Sequence, residues 1–316
     1  MTNKKIMQTA QRIAALRDHF VQHERFDPLE NRFTLLAEKR IADIATGRAR
    51  EAHGLALSGA SGAGKSAAIM HLLQRARQRL DGAGHEDLTI VSLRVPSPAT
   101  LKLVGQSLLR ALGFQISSER QAWYIWDLVR HHLRERRVLF VHLDEAQDLA
   151  SRGTRHELNA VAAMLKTLMT DNDWPVGIIL SGTTELEDIL NHDPQLARRM
   201  QTIYFGPLSS IGHANDVLDL VEAYCERGRL SVGEDVGTTE LAERLIHAAA
   251  NQFGLVIELT LAAIEQAYLR GASSLVRAHF ARAYAHRSGS DDAFNPFIVP
   301  DYHRIDVRQV FTREEN

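Results

Sequence analysis

Eight residues, Gly59-Ala60-Ser61-Gly62-Ala63-Gly64-Lys65-Ser66, have the types and spacing to cradle a polyphosphate. Gly59, Gly62 and Gly64 let the backbone turn tightly and aim successive N–H groups into one concavity, which suits phosphate oxygens. The Lys65 ammonium is placed to reach the outer phosphates, and the Ser66 hydroxyl to ligate a bridging Mg²⁺. Ala67 follows at the start of a helix whose dipole favours anions. A second pair, Asp144-Glu145, closes the apolar run Val138-Leu139-Phe140-Val141-His142-Leu143. Asp144 is suited to hold Mg²⁺, directly or through water, and Glu145 to orient and polarise a water attacking the terminal phosphate. A third polar cluster, Ser181-Gly182-Thr183-Thr184, ends another apolar run, at the level where that phosphate would sit. Thr183 is the first candidate to sense it and Ser181 the second, while the same hydroxyls would also suit a helix cap.

These residues need a strand before each of them and a helix after the loop. Leu55-Ala56-Leu57 reads as a short buried strand, and 67–80 as a helix with Ile69, Leu72 and Leu73 on its apolar side. Residues 88–93 are β-rich and bounded by Pro96. Residues 96–112 carry Leu101, Val104, Leu108 and Leu109 at helical spacing. The next helix holds Trp123 and Trp126, expected to pack against protein, and ends in the basic run 130–137, which complements a helix dipole better than it marks a DNA site. Residues 157–169 read as a helix, 176–180 and 202–205 as strands, and the pattern from 209 turns wholly helical. Ahead of all this lie two amphipathic segments. The second is expected to begin with Asp27 as cap, Pro28 at its first position and Glu30 completing a capping box. The expected architecture is therefore α/β: an N-terminal helical segment (1–50), a parallel-sheet core flanked by helices (51–208), a small helical domain (209–287) and an irregular tail (288–316).

With 316 residues, 45% of them apolar and 24% charged, the chain can bury a full core and exceeds one typical domain. No run of eighteen apolar residues and no charged-then-apolar leader is present, so a soluble cytoplasmic protein is expected. The lone Cys225 excludes an internal disulfide and suits a small helix filler. Fifteen histidines match no zinc spacing, leaving Mg²⁺ as the expected metal. With net charge −2, any nucleic-acid contact must come from a local patch.

The phosphate loop, the element V-L-F-V-H-L-D-E-A-Q-D-L with its Walker B acids, a hydroxyl-ended strand, a paired arginine and a helical lid together resemble an AAA+ ATPase. V-P-S-P-A-T-L-K after the second strand, D-E-A-Q-D-L, G-T-T-E-L and D-P-Q-L-A-R-R-M, in that order over about residues 10–270, resemble TniB and TnsC-like transposition regulators. The resemblance implies an ATP- and Mg²⁺-dependent ATPase that oligomerises as a ring or filament on double-stranded DNA. It would connect a DDE transposase to a TniQ-like target-selection protein. It further implies that Arg198 or Arg199 acts on a neighbouring subunit's ATP. Thr100 and Lys102 would face DNA, with Arg152 and Arg155 as further candidates. One departure is Ile257, which stands where AAA+ lids often carry a second sensor arginine. Other classes compatible with the motifs are a helicase-loader or secretion-type ATPase that remodels a protein partner, and a signalling NTPase.

Overall fold

The computed structural model describes residues 3–116, 120–150 and 153–309. By contacts these fall into two units. One takes the described residues up to Val21, Ser61–Gly64 and those from Gly206 onward; the other takes Gln22–Ala60 and Lys65–Phe205. Of the two N-terminal helices, α1 (Asn3–Arg17) belongs to the first unit and α2 (Phe26–Ala45) to the second.

In the second unit α2 is followed by β1 (Gly54–Gly59), α3 (Lys65–Gly82), β2 (Thr89–Arg94), α4 (Leu101–Ala111) and α5 (Ala122–Glu135). Next come β3 (Val138–Asp144), a 3₁₀ turn (Ala146–Ala150), α6 (Arg155–Met169), β4 (Gly177–Gly182), α7 (Leu186–His192), α8 (Pro194–Ala197) and β5 (Met200–Phe205). Among the described residues the strands form one five-stranded parallel sheet in the order β2-β3-β4-β1-β5, flanked by helices. All six residues of β1 and of β4 are buried, as central parallel strands covered on both faces must be. Leu108, Ile125, Val129, Leu165, Ile178 and Leu180, each at most 1% exposed, pack the helices onto the sheet. Each contributes about 1.5–3 kcal/mol through burial. On the outer strand β2 only Ile90 is buried, and the other residues are half-buried or exposed. An arginine meets a main-chain carbonyl on each outer strand: Arg77 donates to Ile90 O (3.1 Å) on β2, and Arg32 to Thr202 O (2.6 Å) on β5.

The first unit contains α1, α9 (Ala214–Gly228), β6 (Ser231–Val232), α10 (Thr239–Ala248), α11 (Phe253–Arg270), β7 (Ser274–Leu275) and α12 (Arg277–Ser288). Ile13 and Leu16 bring α1 into its core beside Leu220, Tyr224 and Ile264. Arg12 donates to Gly228 O (2.7 Å) and lies over the Tyr268 ring. The segment after α12 is irregular but anchored. Phe297 is 2% exposed, and Arg244 donates to Pro296 O and Val299 O at 2.6 and 2.7 Å. Cys225 is buried, and burial pushes its thiol up to about 11.

Two helix starts differ from the reading of the sequence. α2 begins at Phe26, and no side chain caps it. His23 O already accepts the Phe26 N–H, so the helix starts two residues earlier than a cap at Asp27 would allow. Asp27 instead accepts from Gln22 (2.7 Å), and Glu30 pairs with Arg75 (3.0 Å). α4 begins at Leu101 rather than Pro96. Pro96 and Pro98 disfavour helical geometry in the residues before them, so the chain reaches Thr100 before it can coil. The two tryptophans also part company. Trp126 packs against the core, while Trp123 is 72% exposed. The basic run at the end of α5 is held in ion pairs, Arg134 with Asp173 and Arg137 with Asp87, both at 3.0 Å.

Candidate active site

The strand order places the carboxyl ends of β3, β4 and β1 side by side, which is where parallel sheets present their ligand sites. Register fixes the detail: Asp144 lies opposite Ser181, and Ser58 opposite Gly182.

The loop after β1 turns through Gly62 (φ +81°) and Gly64 (φ +91°), angles that a residue with Cβ adopts only under strain. Lys65 then opens α3 and folds its ammonium back over the loop, donating to Gly59 O and Ala60 O, both at 2.9 Å. Burial pulls the Lys65 ammonium below its ordinary pKa, and the Glu145 and Asp144 carboxylates oppose that shift. Ser61, Ser66 and Ala67 are exposed, whereas Ala63 is buried.

Ser66 Oγ donates to Asp144 Oδ2 at 3.3 Å, so the two expected metal ligands face each other across 78 residues of sequence. A hydroxyl and a carboxylate are hard oxygen donors of the kind Mg²⁺ takes alongside phosphate oxygens and water. The pair therefore fits that ion, and the loop beside it fits a polyphosphate.

Glu145 follows directly, in left-handed backbone geometry (φ +54°) that costs about 1 kcal/mol or more for a residue with Cβ. Its carboxylate accepts from Gln147 Nε2 (2.8 Å) and lies 3.7 Å from the Arg94 guanidinium. The Gln147 amide oxygen accepts the Thr183 N–H (3.1 Å), so one amide spans the acid after β3 and the loop after β4. A side chain at Gly182 would collide with that amide.

The two sensor candidates occupy different surroundings. Ser181 is fully buried and donates to Asp144 Oδ1 at 2.6 Å, so its hydroxyl is committed to the Asp144 carboxylate. Thr183 is half-buried, with its hydroxyl 3.4 Å from Glu185. Behind Ser181 stands His142, whose Nε2 lies 2.8 Å from Ser181 Oγ and whose Nδ1 lies 2.8 Å from Ser92 Oγ. Burial lowers the His142 pKa to about 4 against the pull of Asp144, which keeps the ring neutral. The motifs pointed to neither His142 nor Gln147. A polar residue two places before Asp144 on an apolar strand was the available signal, because alternate residues share a face.

The arginine pair also divides. Arg199 is buried, donating to Gln195 O (2.5 Å) and to Glu51 (2.6 Å). Arg198 is exposed and makes no ion pair among the described residues. Of the DNA candidates, Thr100 caps α4 by accepting the Leu103 N–H (3.2 Å). Lys102 is half-buried on the first turn of that helix, and Arg155 is exposed at the start of α6. Neither is in an ion pair among the described residues. Arg152 lies outside the described residues. Ile257 packs against the core of the first unit.

The parallel sheet, with the Gly-rich loop opening α3 and the acids at the end of β3, defines a P-loop fold of the AAA+ type. Among solved structures the chain is similar to the Aeropyrum pernix ORC1 protein in complex with DNA, at 18% identity and a TM-score of 0.61, over 85% of this chain and 66% of that one. It is similar to Drosophila ORC bound to DNA, at 14% identity and a TM-score of 0.57, over 91% and 67%. It is also similar to the Thermotoga maritima RuvB Holliday junction branch migration motor, at 11% identity and a TM-score of 0.51, over 91% and 75%. No curated protein matches the sequence. The family model described as bacterial TniB protein matches residues 12–208, and the chain belongs to the TniB family.

Proposed function

We propose that this chain is an ATPase of DNA transposition. It binds ATP with Mg²⁺, assembles with further copies of itself on double-stranded DNA and connects a DDE transposase to a TniQ-like target-selection protein in the cytoplasm. The observation that carries this reading is the meeting of Lys65, Ser66, Asp144 and Glu145 at one sheet edge in a chain of the TniB family. Lys65 exchanges its two loop carbonyls for phosphate oxygens. Ser66 and Asp144 hold Mg²⁺, which when bound neutralises phosphate charge. Glu145 orients the attacking water, and Thr183 follows the state of the terminal phosphate at the strand end beside it. Arg198, exposed and uncommitted, reaches the ATP of a neighbouring copy, and its fixed charge suits that task. Lys102 and Arg155 supply charge to the DNA backbone, with Thr100 beside them. The two ORC structures bound to DNA support the DNA half of the reading by fold alone.

The test measures ATP hydrolysis and self-assembly of the purified protein with and without duplex DNA. Turnover and assembly that both rise with duplex are expected. Turnover absent under every condition would overturn the ATPase reading, and turnover and assembly indifferent to DNA would overturn the DNA-linked one.

A further inference from the structure

Three neighbouring strands carry a polar line through an otherwise aliphatic layer. Ser92 on β2 lies opposite His142 on β3, and Asp144, two residues on, lies opposite Ser181 on β4. Residues two apart share a face of a strand, and parallel partners in register share it too, so all four side chains stand on one side of the sheet. The links are 2.8 Å from Ser92 Oγ to His142 Nδ1, 2.8 Å from His142 Nε2 to Ser181 Oγ, and 2.6 Å from Ser181 Oγ to Asp144 Oδ1.

The chemistry gives the line one direction. A carboxylate only accepts, so Ser181 donates its single hydroxyl proton to Asp144. Ser181 Oγ then accepts from His142, which puts the imidazole proton on Nε2. The bare Nδ1 accepts from the Ser92 hydroxyl. His142 is 4% exposed and Ser181 0%, so no bulk water competes for the protons between His142, Ser181 and Asp144, whereas Ser92 at the far end is exposed. Asp144 Oδ1 is thereby fixed from behind, while Oδ2 is the oxygen turned toward Ser66 at 3.3 Å. We propose that His142 and Ser181, with Ser92 at the far end, are positioning residues that lock the Asp144 carboxylate in the rotamer that receives the divalent cation. This rests on reading the loop and Asp144 as a nucleotide and Mg²⁺ site.

The relay's effect is directed at the cation rather than at the phosphates, because among the described residues the side chains of its three members hydrogen-bond one another and Asp144, not the loop after β1. Groups that orient a metal ligand typically change metal affinity by about 10–100-fold. The experiment measures binding of a fluorescent ATP analogue to the full chain across a Mg²⁺ titration and in EDTA, with circular dichroism as the check on folding. Ser181→Ala and His142→Leu should raise the Mg²⁺ half-saturation about tenfold while leaving affinity in EDTA unchanged. Ser181→Thr, which keeps a hydroxyl, and His142→Gln, which keeps a side-chain donor, should recover most of the loss. Folded Ser181→Ala with wild-type Mg²⁺ dependence would overturn the relay. Wild-type protein that binds no analogue in either condition would instead overturn the nucleotide-site reading. For the case in which core variants do not fold, ¹⁵N NMR of histidine-labelled wild type reads the tautomer directly. Nε2–H at His142 is expected, and Nδ1–H would overturn the assigned direction.

Discussion

Arg198 and Arg199 are adjacent in sequence yet differ in what their loss should do. Arg199 holds Glu51 and Gln195 O from a buried position, and losing charged hydrogen bonds of this kind costs about 1–3 kcal/mol. Arg199→Ala should therefore lower the urea midpoint. Arg198→Ala should leave that midpoint unchanged and reduce turnover only in assembled protein, by ~10³ where the charge acts on a transferring phosphoryl group. An equal loss of stability in both variants would remove the distinction. At the loop, Lys65→Ala should abolish nucleotide binding, whereas Glu145→Gln should keep binding and slow turnover about a hundredfold or more. Cys225 offers a pH test. Its thiol is pushed up to about 11 from its ordinary value of 9.0, so the folded chain keeps a proton that the unfolded chain releases between those values. Stability from this group is full below pH 9 and is lost as pH rises toward 11. Cys225→Ala should flatten that part of the stability profile, and the native thiol should resist alkylation until denaturant is added. That Lys65, Ser66, Asp144 and Glu145 would meet was legible because the expectation rests on local spacing. His142, Ser181 and Gln147 gain their meaning from partners 36 to 50 residues away, which only strand register brings near.

The elements were legible wherever apolar period and breakers agreed, as in β3 and β4, but the wholly helical reading from 209 missed the two-residue strands β6 and β7, which pair in parallel and are too short to leave a period in the sequence. The start of α4 was not legible either, because Leu101 and Val104 fit a helix that could begin anywhere after Val95, and the sequence pattern says little about the extended path that two prolines impose on residues 95–100. Thr100 ends that path as a true cap. Thr100→Ala should destabilise by about 1 kcal/mol in urea unfolding, whatever its effect on DNA. Thr100→Asp keeps the cap but adds negative charge, so duplex binding should weaken while stability holds. Loss of both together would mean that the hydroxyl matters only to the helix. At α2 the failure has another cause. Asp27, Pro28 and Glu30 satisfy a capping pattern, but Gln22 just before the helix claims Asp27 and the distant Arg75 claims Glu30, neither of which the capping pattern takes into account.

On the scale of the molecule, a near-neutral chain must gather DNA affinity from few contacts per copy. In the proposed reading Lys102 and Arg155 each supply one, so a single copy should bind duplex weakly and many copies held by ATP should bind it well. Affinity should fall steeply with salt and should change little with DNA sequence. Lys102→Glu should weaken binding at every salt concentration in fluorescence anisotropy, and tight binding by isolated copies without ATP would contradict the assembly model. Such crowding of copies brings a hazard that the sheet addresses. An open strand edge is a template for adding another strand, and a protein that concentrates on DNA raises the chance of that error. Arg77 on Ile90 O and Arg32 on Thr202 O occupy a carbonyl on each outer strand and set a positive charge beside it. If copies gather on one duplex as proposed, these two arginines would disfavour the addition of one copy's outer strand to another's, so contacts between copies would run through side chains rather than through a continued sheet.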